Sequence, residues 1–387
     1  MRILIIKSTS GFVDIEKNNA YNLQEIGLAR AFNRMGHKCD VVYYGGYRKK
    51  IVKIKYNEEG DTFDFYYLRS ISILRNAIYF GLGSLIKKYD IVHCGGYDML
   101  LSWLLAKRIP EKLVVYHGTY YSDFNVKYNK KCKVVDRLFL PRYKKYETVF
   151  DTKSSLAKSF LIEKGLKNVF DVGVGLDLSI IESKAVLESE LSNKIKQIKK
   201  DGFFVLLYIG RIEPRRNITF LFDILRELKD CGEKVKLVII GKGQKDYVTS
   251  CFSYAKQQDV YDDIIYNPFV DQRFLKGVYE LSDVFLLPTK YEIYGMVLLE
   301  AMYFGIPVIT TLNGGSSMMV KDGENGIIVD RFDEKKWASR IKAIFSDVET
   351  KKMIAENAHK TIERTFTWDA LALKFLEIFK QTKGLYE

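Results

Sequence analysis

The sequence predicts an α/β protein built from two doubly wound, Rossmann-like halves, and three observations support this prediction. Short apolar runs alternate with helix-length amphipathic stretches, which is typical of a parallel sheet covered by helices. One charged segment, Leu178–Asp201, interrupts this alternation. The chain has 387 residues, which suits two or three domains at about 150 residues each.

The first half begins with the apolar run Arg2–Ile6, which we predict to be a strand. Asn22–Met35 carries apolar residues at helical spacing and is followed by a glycine, so we predict a helix there. Four further strands follow the same rhythm, at Cys39–Tyr44, Ile91–Cys94, Leu113–Tyr116 and Thr148–Asp151, and a helix is predicted at Ser154–Lys164. Thr148–Asp151 closes the predicted strands of this half.

The second half repeats the alternation after the charged segment. Its predicted strands are Phe203–Ile209, Lys236–Ile240, Ile264–Tyr266, Val284–Leu287 and Val308–Thr310. Its predicted helices are Ile218–Lys229, Lys245–Gln257, Gln272–Leu281 and Met296–Phe304. Ligands of doubly wound sheets bind outside the carboxyl ends of the strands, so the loops that follow these strands are the first place to look for chemistry.

These patterns divide the chain into four predicted segments. Residues 1–178 form an N-terminal Rossmann-like domain, and residues 179–201 form an inter-domain linker. Residues 202–370 form a second Rossmann-like domain that faces the first across a cleft. Residues 371–387 form a C-terminal helix that packs back on the N-terminal domain.

Composition excludes several classes of protein. The chain is 47% apolar and 28% charged, close to the globular average, so extensive disorder is not expected. No apolar stretch approaches the roughly 20 residues that cross a bilayer, and the N-terminus lacks the pattern of a signal peptide. Five cysteines show neither a CxxC pair nor zinc-ligand spacing. We therefore predict reduced thiols, a cytoplasmic chain and no structural metal.

Positive charge is concentrated in the first half. The chain carries a net charge of +13, and residues 1–180 hold 30 basic and 18 acidic side chains. Nucleic acid, acidic lipid or a phosphate-bearing substrate would fit such a field, as would a merely solvated basic surface. Residues 127–145 contain eight Lys or Arg and one acid, interleaved with apolar residues. They predict attachment to an anionic membrane surface, whereas no nucleic-acid recognition signature appears.

Two loops of the second half predict an anion site. Arg211, Arg215 and Arg216 follow the strand Phe203–Ile209, and guanidinium groups bind phosphate oxygens bidentately. Three solvent-facing arginines on an ordinary turn are the alternative. Gly241 follows the next strand in a Gly-Lys-Gly sequence, which allows close approach of the backbone to an anion.

A third loop leads into the helix Met296–Phe304. The backbone amides of Gly295, Met296 and Val297 are the unpaired donors expected at that helix start, ready to bind phosphate or sugar oxygens. Glu292 precedes the helix and Glu300 lies inside its apolar run. A buried carboxylate needs a partner, which ribose hydroxyls or a nearby lysine would supply.

The stretch Asp283–Asp330 resembles the signature region of the family 4 retaining glycosyltransferases, which have the GT-B fold. That family has two glutamates separated by seven residues, then Ala, Gly-x-Pro-Val, Gly-Gly and Asn-Gly. The matching residues here are Glu292, Glu300, Ala301, Gly305-Ile306-Pro307-Val308, Gly314-Gly315 and Asn325-Gly326. The resemblance covers residues 200–370 well and is fainter in the first half.

The resemblance implies roles in the second half for the residues that match. Arg211 and Arg216 would hold the diphosphate of a nucleotide sugar. Glu292 would bind the transferred sugar and Glu300 the ribose. The backbone near Phe269 and Val270 would face the nucleobase, and the amides of the helix start and Gly241 would complete the donor site.

In the first half, the resemblance implies two donor-site residues. His117, which ends a predicted strand, would reach the sugar from across the cleft. Gly11 would let the first loop approach the phosphates. Glu292, His117 and Arg211 are thus the predicted catalytic residues.

By the same resemblance, the chain is a hexosyltransferase-type, retaining glycosyltransferase. It would move a sugar from a nucleotide-diphosphate sugar, with UDP-sugar favoured, to a glycan or lipid-linked glycan in cell-surface polysaccharide biosynthesis. No Asp-x-Asp occurs, so we predict no metal and no cofactor, the nucleotide sugar being a substrate. The expected location is the cytoplasm, peripheral to the inner face of the membrane. The alternatives are an epimerase or hydrolase on the same fold, or a non-catalytic protein that binds nucleotide sugar or nucleic acid.

Overall fold

The computed structural model describes residues 1–16, 23–181 and 189–384. The chain divides into two compact units. The first unit comprises Met1–Asp177 and Thr367–Glu387, and the second comprises Leu178–Phe366. Each unit contains a largely parallel sheet flanked by helices, so the predicted α/β fold class is confirmed.

The first unit contains an eight-stranded sheet in the order β10-β9-β8-β7-β1-β2-β4-β3, and a separate hairpin of β5 and β6. Only β3 runs antiparallel in the large sheet as described. The strands are β1 (Arg2–Ile6), β2 (Lys38–Tyr44), β3 (Lys50–Lys55), β4 (Thr62–Leu68), β5 (Ser70–Ile73), β6 (Asn76–Tyr79), β7 (Ile91–Gly95), β8 (Leu113–His117), β9 (Val149–Thr152) and β10 (Val169–Asp171). The helices are α1 (Gln24–Arg34), α2 (Leu82–Ile86), α3 (Leu100–Arg108), α4 (Val126–Leu138), α5 (Leu140–Lys145) and α6 (Ser155–Glu163).

The central strands of this sheet form where continuous apolar runs occur. Ile3, Leu4, Ile5 and Ile6 are all buried, because helices cover both faces of the parallel sheet. The predicted strands and helices of this half form within one or two residues of their predicted ends. Asn22, the predicted first residue of α1, lies outside the described residues.

The second unit contains a six-stranded parallel sheet in the order β13-β12-β11-β14-β15-β16. Its strands are β11 (Phe204–Ile209), β12 (Val235–Ile240), β13 (Ile264–Asn267), β14 (Val284–Leu287), β15 (Val308–Thr310) and β16 (Ile327–Ile328). Its helices are α7 (Leu178–Ile181), α8 (Glu190–Lys200), α9 (Ile218–Asp230), α10 (Lys245–Gln257), α11 (Gln272–Leu281), α12 (Met296–Tyr303), α13 (Ser316–Met319), α14 (Glu334–Ser346) and α15 (Val348–Thr365). This is the Rossmann strand order, which reverses between β11 and β14.

Part of the segment predicted as a linker belongs to the second unit. Residues 182–188 lie outside the described residues, but α8 buries Leu191 and Ile195. Lys199 at its end donates to Asp283 at 2.9 Å. The amphipathic pattern of α8 therefore reflects packing on this unit instead of a free-standing linker helix.

The last helix, α16 (Trp368–Gly384), packs in the first unit. The rings of Phe375 and Phe379 lie 5.4 and 5.8 Å from the ring of His93, measured between centroids. Arg34 of α1 donates to Asp369 at 2.8 Å. Residues 385–387 of the predicted helix lie outside the described residues. No helix within the described ranges combines the length and the apolar character needed to cross a bilayer.

Candidate active site

The candidate active site lies at the carboxyl edge of the second sheet, where the strand order reverses. Loops on either side of such a reversal open a crevice that binds ligands. Here the two loops are residues 210–217 after β11 and residues 288–295 after β14. They are the loops that carry the predicted arginines and Glu292, so the topology of the sheet brings these two groups together.

The loop after β11 folds into a short 3-10 turn, Pro214–Arg216. Proline is suited to the first position of such a turn because its φ is already fixed. Asn217 then adopts a φ of 56° and leads directly into α9, and asparagine tolerates this left-handed conformation better than most residues. The turn therefore presents Arg215 and Arg216 from a defined backbone.

Glu292 forms ion pairs with both arginines of this turn. Arg216 forms an ion pair with Glu292, and each of these side chains is only 11% exposed. Arg215 Nη1 lies 3.5 Å from the same carboxylate, and Arg215 Nη2 lies 2.7 Å from Glu213. Because both side chains are largely buried, removal of Glu292 would leave the charge of Arg216 without this carboxylate partner.

Arg215 also ties the two loops together. Its guanidinium donates to the carbonyl oxygen of Tyr291 at 2.8 Å, and its own carbonyl oxygen accepts from the backbone N–H of Lys290 at 2.8 Å. The hydroxyl of Thr289 donates to the same carbonyl at 3.1 Å. Arg215 therefore positions Glu292, a role that the sequence analysis did not assign to it.

The start of α12 lies beside Glu292. Gly295 precedes the helix with a φ of 84°, a conformation that favours glycine. A Cβ at this position would lie 3.2 Å from Glu292 Cγ. By helix geometry, the N–H groups of Met296 and Val297 have no acceptor within the helix. The predicted donors and the predicted carboxylate are thus neighbours.

Glu300 is buried inside α12, with 5% of its surface exposed. The hydroxyl of Tyr279, on α11, donates to Glu300 Oε2 at 2.9 Å. Tyr279 lies in a predicted helix, but its contact with Glu300 was not predicted because no sequence pattern links that helix to α12. The tyrosine meets part of the requirement that a buried carboxylate has for hydrogen-bond donors.

Gly241 has a packing role next to this site. A Cβ there would lie 1.8 Å from the carbonyl oxygen of Gly210, so a side chain would separate the loops after β11 and β12. The N–H of Gly241 donates to the carbonyl oxygen of Asn267 at 3.1 Å. Glycine is therefore required by close approach of backbone to backbone, and its contact with an anion stays a prediction.

The remaining predicted residues of this unit lie on nearby loops. Arg211 is exposed, and its carbonyl oxygen accepts from the hydroxyl of Tyr208 at 3.0 Å. After β13, Phe269 is 62% exposed and Val270 is half-buried. The ammonium of Lys242 lies 4.8 Å from the centre of the Phe269 ring, so an exposed aromatic and a cation are adjacent.

His117 of the first unit is buried among aromatic residues. It ends β8 with 2% of its surface exposed. Its Nδ1 accepts from the N–H of Tyr97 and its Nε2 lies near the hydroxyl of Tyr128, both at 3.3 Å. The ring of Phe160 stacks on it, 5.5 Å between centroids. Burial lowers the pKa of His117 to about 4, so the imidazole is neutral at pH 7.

Gly11 lies in the loop after β1 and is exposed. A Cβ at this position would meet no atom within 4 Å. Packing in this unit therefore does not require glycine there. Its predicted role in approaching phosphates stays a prediction.

A partly buried polar cluster at the carboxyl edge of the first sheet was not predicted from the sequence. Glu25 accepts from Lys7 and from the hydroxyl of Tyr43, each at 2.7 Å. Burial alone would raise the pKa of Glu25, but these two donors lower it to about 2. Lys153 donates to Gln24 at 2.8 Å, and burial, with the Lys7 charge, lowers the pKa of Lys153 to about 8. The only available signal was that Lys7 and Lys153 each closely follow a predicted strand.

Across residues 1–16, 23–181 and 189–384, no three His, Cys, Asp or Glu side chains gather closely enough to hold a metal ion.

Known proteins resemble this chain in sequence and in fold. Residues 190–361 match the family model described as glycosyl transferases group 1. An uncharacterized glycosyltransferase of Methanocaldococcus jannaschii is 25% identical over 92% of each chain. The capsular polysaccharide biosynthesis glycosyltransferase CapM of Staphylococcus aureus is 29% identical over 55% of this chain and 56% of its own.

The crystal structure of HepE from Anabaena in complex with UDP superposes with a TM-score of 0.73, covering 98% of this chain and 100% of that one at 16% identity. This chain is a hexosyltransferase-type glycosyltransferase. Its fold is GT-B, with two Rossmann-like units, as the sequence predicts. The match of residues 190–361 lies wholly in the second unit of this glycosyltransferase, which contains the crevice with Arg216 and Glu292.

Proposed function

We propose that this glycosyltransferase is a retaining enzyme of family 4 that transfers a hexose from a UDP-sugar to a glycan or lipid-linked glycan. The arrangement that carries the proposal is the pair Arg216–Glu292, held by Arg215 beside the start of α12. It supports binding of an anion next to a group that binds hydroxyls. The UDP complex of HepE supports the choice of UDP.

The proposed mechanism follows from the charge that has to be stabilised. The bond between the anomeric carbon and the donor phosphate breaks, and its electron pair goes to the departing diphosphate. The acceptor hydroxyl oxygen bonds to the same carbon and passes its proton to the departing phosphate oxygen on the same face. Arg211, Arg216 and the amides of Met296 and Val297 would stabilise the developing charge, a contribution that is often the largest in catalysis.

The ion pair of Arg216 with Glu292 suggests how donor binding would prepare the site. We propose that the diphosphate replaces the Glu292 carboxylate as the partner of Arg216. Glu292 then becomes available to the hydroxyls of the transferred sugar. Glu300 would bind the ribose, and His117 is the proposed catalytic residue of the first unit.

We also propose that the arginines do the work that a metal ion performs in other transferases, so that no metal or cofactor is required. Two guanidinium groups and a helix start already supply positive charge at the crevice. Transfer in the presence of excess EDTA should then equal transfer in added Mg²⁺ or Mn²⁺. Loss of activity in EDTA that is restored by one of these ions would overturn this part of the proposal.

For the acceptor, we propose a glycan of cell-surface polysaccharide biosynthesis, reached from the cytoplasmic side by an enzyme peripheral to the membrane. The similarity to CapM, named for capsular polysaccharide, supports the acceptor class. The basic residues 127–145, which form α4 and α5, support attachment to an anionic membrane.

A thermal-shift screen tests the donor. UDP-, GDP-, ADP- and CMP-linked sugars are added to the full chain, and the largest rise in Tm is expected with a UDP-sugar, because a ligand stabilises the folded state that binds it. A larger rise with another base would overturn the choice of UDP. No rise with any of them would overturn the nucleotide-sugar site.

Catalysis is tested with Arg211→Ala and with Arg340→Ala, which removes an exposed arginine of α14 in the same unit. Release of UDP from UDP-glucose in the presence of acceptor membranes should fall about 10²–10³-fold for Arg211→Ala and stay unchanged for Arg340→Ala. Equal rates in the two variants would remove the assignment of Arg211. Conversion of UDP-glucose without any acceptor would favour an epimerase or hydrolase instead.

A further inference from the structure

The hairpin of β5 and β6 ends in an unfavourable two-residue turn. Ile73 pairs with Asn76, so Leu74 and Arg75 form the turn. Both have positive φ values, 47° and 66°. Turns of this type prefer Asn-Gly or Asp-Gly, because a Cβ is disfavoured in the left-handed region. Leucine in such a position indicates that its side chain has a role other than folding.

The side chains at this end of the hairpin are apolar and exposed. Leu74 is 92% exposed, and Ile71, Ile73 and Phe80 are each about half exposed. Ile71 and Ile73 lie on one face of β5, since side chains two apart on a strand share a face. We call these four residues the apolar tip. Clusters of exposed apolar side chains mark interaction surfaces.

The turn and strand β6 of the hairpin are hydrogen-bonded to the loop that follows β1. The N–H of Ser10 donates to the carbonyl oxygen of Arg75 at 3.0 Å, and the N–H of Ala77 donates to that of Ser8 at 2.9 Å. Ala77 is fully buried. The backbone of the apolar tip is therefore fixed against a loop at the carboxyl edge of the first sheet.

The surroundings of the apolar tip are positively charged. The sequence has no Asp or Glu between Asp64 and Asp90, and both Arg69 and Arg75 are exposed. A second copy of such a surface would be repelled by it, whereas anionic lipid headgroups would be attracted.

The hairpin and α4 are joined through the start of α3. The N–H of Leu100 donates to Asn76 of the hairpin at 2.8 Å, and Asp98, two residues earlier, forms an ion pair with Lys131 of α4. On α4, Val126, Val134 and Leu138 are exposed among the lysines. The apolar tip thus has basic residues with exposed apolar neighbours close by.

We propose that the apolar tip inserts into the interface of an anionic phospholipid bilayer, with Arg69, Arg75 and the lysines of α4 on the headgroup phosphates. Apolar side chains would bury in the acyl boundary while basic residues add electrostatic attraction. Insertion would hold the loop Ser8–Gly11 at the bilayer surface, where a lipid-linked acceptor resides. The inference rests on the proposed function for that acceptor and adds the element that reaches it.

The test replaces the turn by the sequence that such turns prefer. The double variant Leu74→Asn, Arg75→Gly should fold at least as stably as the wild type, with an equal or higher Tm, because Asn-Gly suits both positive φ values. Its partitioning onto vesicles containing phosphatidylglycerol, measured by co-sedimentation of the full chain, should fall at least tenfold. Leu74→Ser alone, which keeps the arginine, should also reduce partitioning. Val348→Asn, which changes a 71% exposed residue of the second unit, should leave it unchanged.

A charge variant separates the two contributions. Lys130→Glu with Lys133→Glu should weaken binding most at low salt, because screening already reduces electrostatic attraction at high salt. The loss caused by Leu74→Ser should be similar at all salt concentrations. Vesicle binding by the turn variant that equals the wild type, or a wild-type dimer that the turn variant loses, would overturn the proposal.

The same samples distinguish failure of the inference from failure of the proposed function. The rise in Tm with UDP-sugar is measured without vesicles for each variant. A variant that loses vesicle binding but keeps this rise supports the inference. If the wild type binds vesicles through Leu74 but its Tm does not rise with UDP-sugar, the inferred membrane surface stands and the UDP-sugar site is overturned.

Discussion

The two units share one architecture but distribute charge differently. The second unit gathers Arg215, Arg216 and Glu292 on two short loops at the reversal of its strand order. The first unit carries nearly all of the net positive charge of the sequence, much of it on exposed surfaces such as α4 and the hairpin. This difference fits the two proposed partners, because a diphosphate is bound by a few fixed charges at one point and a membrane surface attracts a broad field.

The largest expected effect comes from substitutions in the crevice of the second unit. Arg216→Ala and Glu292→Gln should each lower kcat about 10²–10³-fold, because each removes one partner of the ion pair proposed to meet the donor. Rates are measured from UDP release in the presence of acceptor membranes. Lys153→Met, in the first unit, should keep UDP binding, since its cluster lies on the other sheet.

The control for this prediction is to show that each variant is folded. Far-UV circular dichroism and Tm should show that the variants are folded, because a buried ion pair that loses one partner is destabilising. Loss of UDP binding in Lys153→Met, with binding kept in Arg216→Ala, would reverse the roles of the two units.

An intermediate effect concerns the histidine of the first unit. Because burial lowers the pKa of His117 from its ordinary value of 6.5 to about 4, the unfolded chain binds a proton that the folded chain does not between pH 6.5 and pH 4. The free energy of unfolding therefore falls as the pH drops through this window, by about 2 kcal/mol at pH 5 from this group. Urea denaturation at pH 7 and pH 5 measures it.

His117→Gln, which does not titrate, should lose about 2 kcal/mol less than the wild type between these two pH values. Carboxylates such as Glu25 titrate at lower pH and contribute equally to both proteins. Identical losses would mean that His117 takes up its proton between pH 7 and pH 5 in the folded protein as it does in the unfolded chain. His117 would then carry a charge at acidic pH, and the contrast between a neutral histidine in the first unit and the charged crevice of the second would weaken.

The sequence predicted the second unit better than the first. Lys245–Gln257, Gln272–Leu281 and Val284–Leu287 form with the predicted ends, because buried strands and amphipathic helices follow from local periodicity. In the first unit, β3–β6 were missed. The edge strand β3 has the sequence Lys-Ile-Val-Lys-Ile-Lys and is largely exposed, so it lacks the continuous apolar run from which the buried strands were predicted.

Several residues of the candidate site were named from the sequence, but their side-chain contacts were not. Glu292, Arg216 and Gly295 are brought together because strand-end loops meet where the strand order reverses. The contacts of Arg215 with the loop after β14, and of Tyr279 with Glu300, depend on packing between elements that no local pattern links.

The smallest expected effect concerns Glu300, which we propose binds the ribose of the donor. Tyr279→Phe removes the hydroxyl that donates to Glu300. It should lower the free energy of unfolding by about 1 kcal/mol, the usual contribution of such a hydrogen bond. A change in the KM for UDP-sugar larger than the change in kcat would place Glu300 in donor binding. Denaturation and kinetics that both match the wild type would show that this bond matters to neither.

The central claim is that the turn Pro214–Arg216 of the second unit binds the donor diphosphate. Isothermal titration of UDP into the wild type, Arg216→Ala and Arg340→Ala tests it most directly, without acceptor or chemistry. We predict a Kd at least tenfold weaker for Arg216→Ala, equivalent to about 1.4 kcal/mol, and an unchanged Kd for Arg340→Ala. A Kd for folded Arg216→Ala equal to that of the wild type would contradict the claim.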